Sequence, residues 1–228
     1  MSRLREIARS AGSTGAGSTG AGSTGAGSTG AEPERCELCG EAVPPEHRHM
    51  VDLESRDLMC ACRACAILFS GGASGGGHYR LVPDRRLALV DFDLDDVGWA
   101  DLRIPVDMAF FFHHSGEGRV VAYYPSPAGP TESLLELDAW EEIERANPVL
   151  RTLEPDVEAL LVNRSRGAHE HYVVPIEDPY RLVALIRTRW RGFTGGGEVW
   201  QEIEEFFAGL RSRATETPNK REEAAWGS

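Results

Sequence analysis

Apolar residues recur along the chain in two rhythms. Toward the C-terminal end the rhythm is helical. In DPYRLVALIRTRW, Leu182, Leu185, Ile186 and Trp190 share one face, with Asp178 placed to cap the helix and Pro179 suited to its first position. GGGEVWQEIEEFFAGL repeats the pattern through Val199, Ile203, Phe206 and Leu210. DAWEEIERANP predicts a third helix, with Asp138 as the N-cap and Asn147-Pro148 as the stop. Upstream, the apolar runs are short and β-prone: YRLV, RLALVDF, DMAFFFHH and RVVAYY. VEALLVNRSRGAHEHYVVPI has two such arms around a Ser165-Arg166-Gly167 turn, which predicts a hairpin. The fold class expected for residues 78–214 is therefore α+β, an antiparallel sheet plus helices, with the apolar stripes forming its core.

The flanking segments lack this patterning. Residues 1–10 place Leu4, Ile7 and Ala8 on one face, but ten residues are too few for a stable isolated helix, so a frayed terminus is expected ahead of a docking peptide. Residues 11–30 repeat AGSTG four times, a flexible coil with an end-to-end distance of roughly 25 Å. The predicted organisation is a flexible segment over 1–34, a cysteine module over 35–70, a glycine-rich stretch (Gly71 to Gly77), the α+β domain over 78–214 and a frayed polar tail over 215–228.

Composition narrows the function. The 228 residues carry a formal charge of -12, which argues against nucleic acid and against an anionic membrane surface. No apolar run is long enough for a membrane span, and the N-terminus lacks the apolar stretch of a signal peptide, so a cytoplasmic protein is expected. Thiols in that compartment stay reduced, which makes paired cysteines metal ligands or redox groups in preference to disulfides.

All five cysteines lie in CELCGEAVPPEHRHMVDLESRDLMCACRACAILF. Cys36 and Cys39 form one CxxC pair, Cys62 and Cys65 another, with 22 residues between the pairs. A CxxC turn aims two sulfurs at one point, and two such turns complete a tetrahedron. Cys36, Cys39, Cys62 and Cys65 are therefore the expected metal ligands, in a zinc-ribbon-like module. Zinc is the expected ion; iron in a rubredoxin-like electron carrier is the alternative. A closed four-sulfur zinc site has a structural role. Cys60 is read first as a small buried residue, with a replacement ligand or a spare thiol for redox or metal transfer as alternatives. His47 and His49 would share a face if on a strand. They are read as ordinary hydrogen-bonding histidines ahead of ligands for a second ion.

Other motifs fail on inspection. DFDLDDVGWADL fits a calcium loop in neither register, because position twelve is Leu102 or Ile104 where a glutamate is needed; an acidic turn before a strand is expected. His169, Glu170 and His171 lack the HExxH spacing of a zinc protease. TGGGEVW, from Thr194 to Trp200, has no following lysine and reads as a helix start. The arginine clusters (Arg80, Arg85, Arg86 and Arg187, Arg189, Arg191) are expected to pair with carboxylates.

CELCGEAVPPEHRHMVDL, CACRAC, YRLVPDRR, RIPVDMAFFF, YPSPAGPTESLL, NPVLRTLEPDVEALLVNR and YRLVALIRTRWRGFTGGGEVW together carry a resemblance. From about Arg35 to Leu210 the chain resembles an uncharacterised bacterial domain family often encoded beside genes of uptake nickel–iron (NiFe) hydrogenases. The resemblance carries no activity. It implies a soluble accessory protein for hydrogenase assembly or maturation, with hydrogenase subunits or maturation factors as partners. A non-enzymatic accessory or adaptor protein is the expected function, and an enzyme using the histidines with Glu170 or Asp178 is the weaker reading.

Overall fold

In a computed structural model of the chain, residues 34–70, 77–134, 137–192 and 194–218 are described. The expectations for residues 1–10, the AGSTG repeat and most of the glycine-rich stretch lie outside these residues. The chain divides into two compact units, with the boundary between Leu81 and Val82.

The first unit holds a three-stranded antiparallel sheet in the order β2-β1-β3: β1 (Arg48–Asp52), β2 (Leu58–Ala61) and β3 (Tyr79–Leu81). The β1–β2 hairpin turns through Asp52, whose side chain accepts from the backbone N–H groups of Glu54 and Ser55. Helix α1 (Arg63–Ser70) follows β2. Met50, Ala61 and Ala66 make a small core with Leu38, Phe69, Tyr79 and Leu81 against it. YRLV thus supplies a strand to the cysteine-bearing unit.

The second unit is built on a seven-stranded sheet, β10-β4-β9-β8-β5-β6-β7. The strands are β4 (Leu87–Leu89), β5 (Met108–His114), β6 (Arg119–Ser126), β7 (Gly129–Ser133), β8 (Glu158–Asn163), β9 (Glu170–Pro175) and β10 (Thr215–Thr217). All neighbours are antiparallel except β10, which runs parallel to β4 and pairs Glu216 with Ala88. Residues 215–217, expected in the frayed tail, instead form an edge strand.

Its helices are α2 (Asp96–Asp101), α3 (Leu137–Ala146), α4 (Glu177–Arg189) and α5 (Gly197–Arg213). They cover both faces of the central strands. Phe111 on β5 stacks on Trp140 of α3, while its neighbour Phe110 meets the ring of Tyr180 on α4. This is why DMAFFFHH is a continuous apolar run and not an alternating one. On one face Leu160, Val162 and Val173 join Trp140, Ile143 and Leu150 in a core.

Three details differ from the sequence expectation. The acidic stretch after Asp91 contains a helix, because the Asp95 carboxylate accepts from the Gly98 N–H and caps α2. Phe207, not Phe206, is the buried phenylalanine of α5, and it stacks on Tyr172. Asp138 and Asp178 lie inside the first turns of α3 and α4, one residue past the helix start. Asp178 serves Arg86 instead of capping: the guanidinium donates to both its oxygens at 2.6 and 3.0 Å. Arg85 does the same to Glu158, at 2.5 and 2.6 Å, and also donates to the Thr152 carbonyl. Both carboxylates are buried, so the adjacent arginines serve as their ion-pair partners.

Candidate metal centre

The four CxxC cysteines reach one point from two different local structures. Cys36 to Cys39 form a tight turn. The Gly40 N–H donates to the Cys36 carbonyl at 2.8 Å and the Cys36 N–H to the Glu41 carbonyl at 2.7 Å. An isolated bridge between Arg35 and Ala42 closes the turn. Gly40 adopts φ +78°, a left-handed conformation that glycine takes without the steric cost of a Cβ.

The second pair is not on a β-turn. Cys62 immediately precedes α1 and Cys65 lies in its first turn. The Cys65 N–H points at Cys62 Sγ, 3.5 Å away, so this sulfur occupies the place of a capping oxygen. The zinc-ribbon picture of two equivalent turns therefore gives way here to one turn and one helix N-terminus, with the β1–β2 hairpin between them.

The four sulfurs all lie within 4.8 Å of one another. Two sulfurs bound to one tetrahedral zinc at about 2.3 Å each stand roughly 3.8 Å apart. Cys39 Sγ and Cys62 Sγ are 3.7 Å apart. Cys36 and Cys65 are buried, Cys62 is half-buried and Cys39 is exposed. Val43, Leu38 and Phe69 pack around them.

Electrostatics sort these thiols. Burial opposes charge on Cys36, but backbone N–H groups of Cys62, Cys39 and Leu38 aim at its sulfur and bring it down to about 6. Burial pushes the Cys65 thiol up, and the sulfurs of Cys39, Cys62 and Cys36 push it further. One site is thus prepared as a thiolate while its neighbour resists becoming a second. A cation among the four reverses that resistance, because it makes every sulfur's negative charge favourable and displaces the protons.

Residues 35–214 match the family of unknown function DUF5947. The chain belongs to that family. No curated protein and no solved structure matches it. The matched span takes in the four clustered cysteines and reaches across parts of both units, so the cysteine cluster lies inside the family's domain.

The remaining candidates are dispersed. Cys60 does not join the four sulfurs. It faces His49 across the β1–β2 ladder, and Cys60, His47 and His49 form a cluster of their own. The hairpin register that creates this second group is invisible in the spacing alone; counting back from a turn at LESRD was the signal available. In the second unit, His171 is buried and stacks on Phe92 at 4.6 Å. Burial, with the Arg164 charge next, lowers it to about 4. Glu170 is engaged by Asn163, Tyr172 and Arg211. Asp178 is the partner of Arg86. His113 and His114 end β5, and the Nδ1 of His114 accepts from the Glu117 N–H. Among the described residues no helix is long and apolar enough to cross a membrane.

Proposed function

We propose that Cys36, Cys39, Cys62 and Cys65 hold a zinc ion that orders the first unit, and that the protein is a non-enzymatic accessory or adaptor protein of the cytoplasm. The observation that supports this reading is the convergence of four sulfurs to tetrahedral spacing from a turn and a helix N-terminus. A set of four thiolates leaves no open position, so the ion's contribution is structural. The second unit supplies a surface for a protein partner. The partners proposed are the hydrogenase subunits or maturation factors that the family resemblance implies.

Iron is the competing occupant, because a four-sulfur tetrahedron also suits an electron-transferring iron. Metal analysis of the full chain, purified without added metal, separates the two. The proposal expects a colourless protein holding zinc; red protein holding iron would make it an electron carrier. The partner is tested separately, by recovering hydrogenase subunits with the tagged chain. Unchanged hydrogenase activity after loss of the gene would remove the hydrogenase role and leave the metal site standing.

A further inference from the structure

The β1–β2 hairpin carries a group that the four-sulfur site does not use. His47 and His49 are two residues apart, His49 on β1 and His47 just before it. Cys60 is the direct cross-strand partner of His49. One ligand atom from each of the three lies within 4.8 Å of the other two. The two imidazole rings are 4.6 Å apart, centroid to centroid.

His47 gives this group a direction. Its Nδ1 is 2.9 Å from the Pro44 carbonyl. A carbonyl only accepts, so Nδ1 carries a proton, and in the neutral ring Nε2 keeps its lone pair. That Nε2 is buried without a hydrogen-bond partner, on a side chain only 5% exposed. Burying an unsatisfied acceptor is unfavourable unless something occupies it. A ring that donates one nitrogen to a backbone carbonyl and turns the other inward is arranged as metal-binding histidines are. The Glu34 carboxylate, 3.8 Å from Nδ1, strengthens the same polarity. Cys60 is held equally firmly: its N–H donates to the Glu37 carboxylate at 2.7 Å and its carbonyl accepts from the Glu37 N–H at 2.9 Å.

We infer that His47, His49 and Cys60 form a second metal site, taking a thiophilic first-row transition ion of the zinc class. Two imidazoles and one thiolate make three protein ligands. Unlike the four-sulfur set, this leaves a fourth position open to water or to an exchanging ligand. The ion is therefore exchangeable, and Cys60 is a ligand in its own right. The inference uses none of the four proposed zinc ligands.

The test is metal uptake by the full chain, purified with its first ion in place and then dialysed against zinc or cobalt(II). Wild type is expected to retain about two ions per chain. Cys60→Ala and the double variant His47→Gln/His49→Gln are each expected to retain about one. In protein produced with cobalt(II) in both sites, the four-thiolate spectrum should persist in Cys60→Ala, which shows that the unit is still folded, while the contribution of the second ion is lost. A wild type that retains a single ion, or variants that retain as many as wild type, would overturn the inference. Cys36→Ser distinguishes the two readings. If it leaves uptake unchanged while Cys60→Ala lowers it, the four-sulfur reading fails and this one stands.

Discussion

The two units of this molecule are held together by different physics. Among the described residues, the largest side chains less than 2% exposed include Met50 alone from the first unit; Phe110, Phe111, Phe207 and the others belong to the second. The first unit's buried residues are mostly small, and three of them are cysteines: Cys36, Cys60 and Cys65. A fully buried Leu or Phe contributes about 1.5–3 kcal/mol, and the second unit has many where the first has almost none. The lesson is that a small sheet with one short helix needs a further source of stability, and the sulfurs sit where it can enter.

The largest expected effect follows from that contrast. A structural zinc site contributes on the order of 10 kcal/mol in small zinc peptides. Chelation, or Cys36→Ser, should therefore unfold the first unit and leave the second folded. All five tryptophans of the chain (Trp99, Trp140, Trp190, Trp200 and Trp226) follow Leu81. Tryptophan emission should stay constant while amide exchange over residues 36–81 accelerates. If emission and exchange change together, the two units do not differ in this way.

The converse break lies in the second unit. Arg85→Ala leaves the Glu158 carboxylate, 0% exposed, without its guanidinium. Leaving a fully buried carboxylate without its charge partner costs about 3–5 kcal/mol. Urea unfolding followed by tryptophan emission should show that loss, with zinc content unchanged.

A smaller effect depends on pH. His171 is held at about 4 in the fold, below its ordinary value of 6.5. The unfolded chain then binds the proton more readily, so the stabilisation is complete above pH 6.5 and is lost as the pH falls toward 4. The amount is on the order of 3 kcal/mol. Comparing wild type with His171→Gln by urea unfolding across this range should isolate it: the wild-type stability should fall more steeply on acidification.

The smallest change sharpens the first unit. Gly40 at φ +78° has open space where a Cβ would go, so Gly40→Ala meets strain without a clash. The expected cost is about 1 kcal/mol, read as roughly fivefold weaker zinc retention in a competition with chelator.

The same contrast governs what the sequence reveals. In the second unit, helical periodicity located α4 and α5 because their stripes face a large core. It chose Phe206 over Phe207 because both fall near the apolar face and only packing against Tyr172 decides between them. Asp178 looked like a cap, but a helix start cannot show that Arg86, 92 residues away, needs its carboxylate. Thr215–Thr217 gave no strand signal, since three polar residues at an edge gain their structure from β4. In the first unit the four cysteines were legible through spacing alone. The helix that presents Cys62 and Cys65 was not, because CRACAILF is too short for periodicity to declare itself. Nor was the His47–His49–Cys60 group, which exists only once the hairpin register is set.

The most direct test of the four-sulfur centre is X-ray absorption at the metal edge of the Cys60→Ala protein, which removes the second thiolate from consideration. Four sulfur neighbours at about 2.3 Å are predicted, with no nitrogen or oxygen in the inner coordination sphere. A mixed shell containing nitrogen or oxygen, or protein that carries no metal at all, would contradict the account.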